Sequence, residues 1–177
     1  AVSGAVNETI LLDCPRCMED MKNLNLFGLG SYAVPDYVLI CRSPLQDYEA
    51  FKSVRIRSAG EFAQMFAAVG PTPVQIPFPE TYEALQRGQV ECSHSQASYL
   101  RAANFWDVAK NVYDKPQLGI YNTAQLFAVN GNVWSELAEA DRELILSELP
   151  VAIADAVFRG IEELDEITAA AAGKGVS

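Results

Sequence analysis

The middle of the chain alternates short runs rich in β-branched residues with helical patterns of about ten residues each. The runs predict strands over Val54–Arg57, Val74–Pro77 and Val90–His94. Between the strands, apolar residues recur at helical spacing, which is typical of a helix that packs one face on a core. Regular alternation of strand and helix favours a parallel sheet with helices on its faces. The pattern therefore predicts an α/β fold.

The residues between these runs have the signals of helix ends. Ser58 and Glu61 stand in the S-x-x-E spacing of a capping box, which predicts a helix directly after the first strand. Gly70 suits the end of that helix, Pro79 the first turn of the next helix, and Gly88 its end. Each strand is thus expected to lead directly into a helix.

The segments before this region also divide into strands and helices. A strand is expected over Glu8–Asp13 and a helix over Cys14–Leu24, followed by a glycine-broken strand or loop over Leu26–Tyr32. A clear strand runs over Tyr37–Arg42, and a short helix over Gln46–Lys52 leads into the central sheet. The α/β pattern therefore extends towards the start of the chain.

The C-terminal part is predicted to be mainly helical. A helix with core aromatic residues is expected around Phe105 and Trp106, and a helical region starts at Trp134. A long acidic helix is expected over Ala138–Thr168, and Pro150 should kink or divide it because proline removes a backbone hydrogen bond. The packing stripe predicted for this helix consists of Leu144, Ile145, Leu149, Ile153, Val157, Ile161 and Leu164.

Composition and charge limit the classes of partner. With 13 basic residues and a net charge of −10, the chain lacks the basic character of nucleic-acid-binding proteins, so no nucleic-acid partner is expected. No apolar run approaches the roughly 18 residues of a membrane span, and no signal peptide is present. A secreted protein would therefore have to be represented here in its mature or excised form.

Motifs for catalysis and for cofactors are missing from the sequence. It contains no G-x-S-x-G elbow, no phosphate loop and no dinucleotide fingerprint. His94 is the single histidine, so a histidine-rich metal site cannot be built, and a histidine beside a strand end is more often structural than catalytic. We therefore expect neither an enzyme nor a bound cofactor or metal.

Arg57 is the strongest candidate for a binding residue. It ends a predicted strand and stands one residue before a predicted helix. Open α/β sheets bind ligands outside the carboxyl ends of their strands, and a helix N-terminus adds unpaired N–H groups and a positive dipole. These features predict a site for a carboxylate or phosphate. The alternative, a surface arginine paired with a nearby acid, is equally compatible with the spacing.

Cys14 and Cys17 suggest a second class of function. A strand followed by C-x-x-C at a helix start is how thioredoxin-like enzymes present a reactive thiol, and Thr72–Val74 resembles the proline loop beside it. The simpler interpretation is a local disulfide or two unreactive cysteines. We favour the simpler one, because Arg57 and Phe78 have no role in a thioredoxin-like enzyme.

Four segments together resemble one family. The segments VRIRSAGEF, PVQIPFPETYEALQRGQVEC, NFWDVAKNV and LFAVNGNVWSELAEADRELI are similar to the solute-binding proteins of TRAP transporters, the DctP-like group. The resemblance covers nearly the whole chain. The positions that match the family's central motif are Pro77, Phe78, Glu80, Tyr82, Ala84, Leu85, Gln86, Gly88 and Val90, while Glu91 replaces Asp and Cys92 replaces Gly.

The resemblance implies a set of ligand-binding residues. Arg57 would bind the carboxylate of the substrate, with Phe78 and Tyr37 as apolar or aromatic walls. Some members have a second arginine near the position of Tyr37, and its absence suggests a ligand with fewer charges or an aromatic platform. Ser95 takes the place of a ligand-contacting residue that is often Asn. The remaining residues expected to border the cleft are His94, Tyr121, Asn122 and Gln125.

The resemblance also implies a fold and a function. It implies a domain like those of periplasmic binding proteins, with a mostly parallel sheet flanked by helices, two crossing hinge strands and a long C-terminal helix. The function would be that of a periplasmic receptor that closes on a small organic acid and delivers it to the membrane subunits of a TRAP transporter. The hinges would lie at Tyr37–Arg42 and Gln125–Asn130.

Complete proteins of this family are nearly twice as long and have two α/β domains, so the chain is expected to be a fragment. Residues 1–36 would be a remnant of the first domain, residues 37–130 the second domain with its crossing strands, and residues 131–177 a helical return segment. An apolar surface left by missing strands would favour association between copies.

The cysteines are expected to form two disulfides. Four cysteines in an oxidising compartment can pair in three ways. We predict a local pair of Cys14 with Cys17, and a bond from Cys41 to Cys92 that links the crossing strand to the central sheet.

Overall fold

The computed structural model describes residues 2–32, 37–115 and 127–177. The chain divides into two compact units. The smaller unit comprises Ala1–Val34 and Ile120–Glu162, and the larger unit comprises Pro35–Gly119 and Glu163–Ser177. The C-terminal residues 131–177 are therefore shared between the two units.

The described elements follow the chain in a mixed order of helices and strands. The helices are α1 (Val2–Leu12), α2 (Pro15–Asn23), α3 (Tyr48–Lys52), α4 (Glu61–Val69), α5 (Thr81–Gln86), α6 (Tyr99–Ala102), α7 (Gly131–Glu136) and α8 (Glu139–Gly173). The strands are β1 (Leu26–Gly30), β2 (Tyr37–Cys41), β3 (Arg55–Arg57), β4 (Thr72–Val74), β5 (Cys92–Gln96), β6 (Asn111–Tyr113) and β7 (Phe127–Asn130). Single 3₁₀ turns lie at Phe78–Glu80 and Phe105–Asp107.

The larger unit contains a five-stranded mixed sheet in the order β4-β3-β5-β2-β6. Strand β3 is parallel to β4 and to β5, which confirms the predicted parallel core. Strand β2 is antiparallel to β5 and to β6, so the predicted crossing segment Tyr37–Arg42 lies inside this sheet and runs against its neighbours. The fold class is therefore α/β, as the sequence predicted.

Alternation along the strands gives the sheet two different faces. On one face, Val38 pairs with Ser95 and Ile40 pairs with Ser93. This face packs on α5 through Ala84 and Leu85, and we call it the α5 face. On the other face, Leu39 pairs with His94 and Cys41 pairs with Cys92. Phe66 of α4 packs on this second face, which we call the α4 face.

Two disulfides join the pairs of cysteines that the sequence analysis expected. Cys41 and Cys92 are opposite each other on β2 and β5, with their Cα atoms 4.1 Å apart, and both side chains are buried. Cys14 and Cys17 form the local bond at the start of α2, with a Cα–Cα distance of 5.2 Å.

The smaller unit is built on an antiparallel pair of strands, β1 and β7. Phe27 stacks on Trp134 with ring centroids 4.5 Å apart. The Asn7 side chain donates to the carbonyl of Ser31 and accepts from its N–H, each at 2.7 Å, and thereby joins α1 to the end of β1. None of the helices in residues 2–32, 37–115 and 127–177 is long and apolar enough to cross a membrane.

The strand predicted over Glu8–Asp13 is wrong, because these residues belong mainly to helix α1. The apolar run Ile10–Leu12 is too short to distinguish a strand from a helix by periodicity. In the helix, Asn7 and Leu11 are four residues apart and share the face towards β1, where Leu11 lies beside Gly28. Contacts with β1 therefore explain why residues 8–12 are helical.

The predicted capping box is also wrong. Helix α4 begins at Glu61 with Gly60 as its N-cap, and no side chain caps it. Ser58 is buried, and its N–H donates to the carbonyl of Val74 at 3.3 Å, next to the β3–β4 pairing. Ser58 therefore continues the strand instead of starting the helix, and Arg57 stands farther from the helix than expected.

The predicted ends of the two helices agree with the structure. Gly70 and Gly88 follow α4 and α5 with positive φ angles of 121° and 70°.

The long C-terminal helix differs from its prediction in two respects. Helix α8 runs for 35 residues with Pro150 inside it, so this proline does not divide the helix. The predicted packing stripe is only partly covered, since Leu144 and Ile161 are 59% and 54% exposed. The buried residues of α8 are Ile167 and Ala171 near its C-terminus, where the helix belongs to the larger unit. Similarly, Phe105 is buried as predicted but lies in a 3₁₀ turn.

Candidate functional site

The candidate site lies at the end of the five-stranded sheet where β3 and β5 finish. Arg57 is the last residue of β3, and Ser95 is the penultimate residue of β5. Strand β2 runs in the opposite direction, so its first residue, Tyr37, lies at this same end, opposite Gln96. The structure therefore gathers four of the predicted residues, Arg57, Tyr37, His94 and Ser95, at the carboxyl end of the sheet.

Arg57 is held by one backbone carbonyl and by an aromatic ring. Its Nε–H donates to the carbonyl of Ile76 at 3.1 Å. The guanidinium carbon lies 5.6 Å from the ring centroid of Phe78, within cation–π range. The side chain is half-buried, and burial lowers the pKa of the guanidinium from its usual value, with Tyr37 and Tyr99 acting in the opposite direction. An arginine nevertheless remains a cation in a protein.

Arg55, two residues earlier on the same strand, provides a direct comparison. Its guanidinium is bonded to both carboxylate oxygens of Glu91, at 3.2 Å and 2.6 Å. Arg57 has no carboxylate partner among the residues that the structure describes. A half-buried cation without an anion is costly, so the guanidinium of Arg57 is a favourable place for an anionic group.

Phe78 belongs to an aromatic cluster on the α5 face. Its ring centroid lies 4.2 Å from that of Tyr99 and 6.1 Å from that of Phe105. The contact with Tyr99 fixes the ring over which Arg57 extends. Tyr99 was not singled out in the sequence, although its position three residues after β5 is itself a signal, because segments that follow strands meet at this end of the sheet.

His94 is buried on the α4 face and is only 3% exposed. Its ring centroid lies 4.5 Å from Phe62, 4.9 Å from Tyr37 and 5.1 Å from Phe66. Burial, together with the positive charge of Arg57, lowers the pKa of His94 to about 4. The imidazole is therefore neutral at physiological pH, and its Nε2 atom has no hydrogen-bond partner within the described part of the chain.

Two serines complete the polar residues at this end of the sheet. The Oγ atoms of Ser95 and Ser93 are 2.7 Å apart on the α5 face, so the hydroxyl predicted to bind ligand already has a neighbour. Ser58, which we had interpreted as a cap, is 1% exposed. Its Oγ atom lacks a hydrogen-bond partner in the part of the chain that is described.

Asn122, Gln125 and Tyr121 lie outside the described residues, so their place in the cleft stays a prediction. No group of three or more His, Cys, Asp or Glu side chains in residues 2–32, 37–115 and 127–177 is arranged to hold a metal ion.

The local environment of Cys14 and Cys17 differs from that of a thioredoxin-like enzyme. Helix α1 precedes them where such an enzyme has a strand, because the predicted strand over Glu8–Asp13 does not form. Cys14 is the N-cap of α2, and its Sγ accepts a hydrogen bond from the N–H of Cys17 at 3.2 Å. The strand–C-x-x-C arrangement that suggested an oxidoreductase is therefore not present.

The candidate site thus has a half-buried arginine, without a carboxylate partner in the described residues, at the end of a mixed α/β sheet where sheets of this class bind ligands. Residues 17–174 match the family model of bacterial extracellular solute-binding protein family 7, the DctP family. This match covers most of the chain, so the protein belongs to that family. The resemblance noted from the sequence is thereby confirmed.

Similar proteins include the ectoine-binding periplasmic protein TeaA of Halomonas elongata, which is 24% identical over 148 residues, 80% of this chain and 42% of TeaA. A TRAP periplasmic solute-binding protein from Pseudomonas putida F1, solved with bound D-glucuronate, gives a TM-score of 0.79 at 18% identity, over 92% of this chain and 53% of that one. A protein of the same kind from Shewanella oneidensis, solved with bound succinate, gives a TM-score of 0.76 at 20% identity, over 89% of this chain and 52% of that one. The chain thus spans about half the length of these relatives.

Proposed function

We propose that this chain is the ligand-binding part of a receptor for a small organic acid, and that Arg57 binds the carboxylate. The observation that carries the proposal is the half-buried guanidinium of Arg57, which has Phe78 beside it and no carboxylate partner in the described residues. The D-glucuronate and succinate in the two solved relatives are themselves carboxylates, which supports this class of ligand.

The geometry of Arg57 suits a two-pronged contact. Its Nε–H is already used by the carbonyl of Ile76, and this bond orients the planar guanidinium. The two terminal nitrogens have no hydrogen-bond partner among the described residues, and together they match the two oxygens of a carboxylate. Phe78 and Tyr37 would form walls of the site, and Ser95, His94, Asn122 and Gln125 would contact or orient the rest of the molecule.

The wider role would be transport in the periplasm. The receptor would close around its ligand by a hinge motion and deliver it to the membrane subunits of a TRAP transporter. The ligand would favour the closed state through the additional contacts it makes there. The protein would act as a receptor and not as an enzyme: the described part of the site contains a cation and a neutral histidine, and no nucleophile is paired with a base there.

Association between copies is a further part of this proposal. Leu144, Val151, Phe158 and Ile161 of α8 are each more than half exposed. Their spacing places them on one side of the helix, and an exposed apolar stripe of this kind favours contact with another surface.

The carboxylate proposal is tested by thermal unfolding of the chain in the presence of small organic acids. A ligand that binds only the folded state raises the unfolding temperature. We expect at least one acid to raise it in a concentration-dependent manner, while the corresponding uncharged amide leaves it unchanged. Equal effects of acids and amides would show that the chain does not recognise a carboxylate.

A further inference from the structure

The disulfide between Cys14 and Cys17 is the more accessible of the two bonds that the structure describes. We propose that this bond is a site of thiol–disulfide exchange, at which the dithiol of a C-x-x-C protein reduces it reversibly while the fold persists. The chain would be the substrate of this exchange and not the enzyme that catalyses it. Neither cysteine belongs to the unit that contains Arg57, so the exchange does not depend on the proposed function.

The two disulfides differ in their access to solvent. Cys14 and Cys17 are both partly exposed, and the two residues between them are exposed. Cys41 and Cys92 are each 0% exposed and belong to the hydrophobic core on the α4 face. Exchange requires an incoming thiolate to reach a sulfur atom. The first pair can therefore react directly, whereas the second can react only when the core opens.

Helix α2 stabilises the sulfur that the exchange releases. Cys14 is the N-cap of this helix, and its Sγ accepts a hydrogen bond from the N–H of Cys17 at 3.2 Å. Thiols at helix N-termini favour the thiolate form, because unpaired N–H groups and the helix dipole attract negative charge. A thiol of this kind is also a good leaving group. Cys14 is therefore the sulfur that leaves, and Cys17 is the sulfur that is attacked.

The exchange takes two steps and transfers two electrons. A thiolate of the incoming dithiol attacks the Sγ of Cys17, the bond to Cys14 breaks, and its electron pair stays on Cys14 as a thiolate. The second thiol of the dithiol then loses its proton and attacks the partner sulfur that is bound to Cys17. Cys17 leaves as a thiolate and takes up a proton. The dithiol is thereby oxidised to a disulfide, and the two cysteines are reduced.

Helix α2 has supports other than this disulfide. Met21 is 1% exposed, and its sulfur lies against Gly28 of β1. The N–H of Met18 donates to the carbonyl of Cys14 at 3.2 Å, so the backbone also closes the first turn of the helix. Because the two cysteines are only three residues apart, their bond restricts the unfolded chain less than a bond that closes a long loop. Reduction should therefore leave the smaller unit folded.

Timed reduction of the folded protein at pH 7.4 tests the proposal, with dithiothreitol as one reductant and reduced thioredoxin as a protein dithiol. Samples are quenched with acid, the free thiols are alkylated, and mass spectrometry of the peptides gives the oxidised fraction of each cysteine pair. We expect the bond between Cys14 and Cys17 to be reduced at least about a hundredfold faster than the bond between Cys41 and Cys92, because a core strand opens only rarely. Amide NMR spectra should show that the product is folded.

Alkylation of the reduced protein tests which sulfur leaves. At pH 6.5, Cys14 should react with iodoacetamide at least about threefold faster than Cys17, because the thiolate is the reactive form and α2 favours it at Cys14. Cys17 is the matched control, since it is partly exposed to a similar degree and belongs to the same turn. Faster alkylation of Cys17 would overturn the proposed step.

The rates and the spectra can each overturn the exchange site. Equal rates of reduction for the two disulfides would show that the bond between Cys14 and Cys17 has no special access. Reduction that coincides with loss of the folded amide spectrum would make it a structural bond. Reduction by dithiothreitol but not by thioredoxin would exclude exchange with a protein dithiol.

Discussion

Two arginines on one short strand have opposite electrostatic environments. Arg55 is bonded to Glu91, and Arg57 extends over Phe78 without an acid beside it in the described residues. The sequence predicted where Arg57 lies but left a surface ion pair equally open. That ambiguity could not be removed from the sequence, because the partner of Arg55 comes from the segment before β5, 36 residues farther along the chain.

At the residue scale, His94 should make stability depend on pH. Its pKa is lowered to about 4 in the folded protein, while an unperturbed histidine titrates near 6.5. Between these values the unfolded chain binds a proton that the folded chain does not, so the stabilisation present above about pH 6.5 is lost as the pH falls towards 4. Between pH 7 and pH 5, the unfolding free energy of the wild type should therefore fall by about 2 kcal/mol more than that of His94→Phe.

Urea denaturation of the wild type and of His94→Phe at both pH values measures this difference. Carboxylates elsewhere contribute equally to both proteins, and the comparison therefore isolates His94. Parallel pH dependences of the two proteins would mean that His94 has an ordinary pKa in the folded state.

At the scale of elements, contacts between distant segments explain where the sequence predictions succeeded and where they did not. The parallel strands and the glycine helix ends followed from local patterns. The conformation of residues 8–13 did not, because α1 is fixed by Asn7 at the end of β1. The capping role predicted for Ser58 was wrong for a similar reason. Its N–H donates to the carbonyl of Val74, a residue that is distant in sequence, so the local pattern did not reveal this bond. The antiparallel direction of β2 likewise depends on its pairing with β5.

The disulfide between β2 and β5 should contribute strongly to the stability of the larger unit. Cys41 and Cys92 are 51 residues apart, so in the chain-entropy model their bond stabilises the fold by about 4 kcal/mol. Replacing both by alanine should lower the free energy of unfolding by about that amount in urea denaturation. Replacing Cys14 and Cys17, which are three residues apart, should cost only about 2 kcal/mol. Equal losses for the two pairs would contradict the loop-length argument.

At the scale of the whole molecule, the smaller unit has fewer buried hydrophobic residues than the larger one among the residues described. Its sheet consists of β1 and β7 alone among the described residues, and two strands depend on the helices packed against them for their stability. An apolar groove of about 560 Å³ runs between α1, β1 and α8. Phe158 of the apolar stripe on α8 lines this groove.

The apolar stripe should promote self-association. Phe158 is 65% exposed, and Phe158→Glu should shift the chain towards monomer, because the new charge would have to be buried in any contact that covers the stripe. Sedimentation velocity over a range of protein concentrations measures the shift. Leu24→Glu is a suitable control, since Leu24 is 68% exposed and lies beyond the end of α2. If both variants behave like the wild type, α8 is not the contact surface.

The central claim, that Arg57 binds a carboxylate, is tested most directly by titrating one organic acid into four proteins: the wild type, Arg57→Ala, Arg57→Lys and Arg55→Ala. Loss of the guanidinium should weaken binding by about 2–5 kcal/mol, which is roughly 30-fold to several thousand-fold. Lysine keeps the charge but not the planar fork, so Arg57→Lys should also bind more weakly than the wild type. Arg55→Ala should bind like the wild type, because Glu91 already occupies that guanidinium. Equal affinities for the wild type and Arg57→Ala would contradict the account.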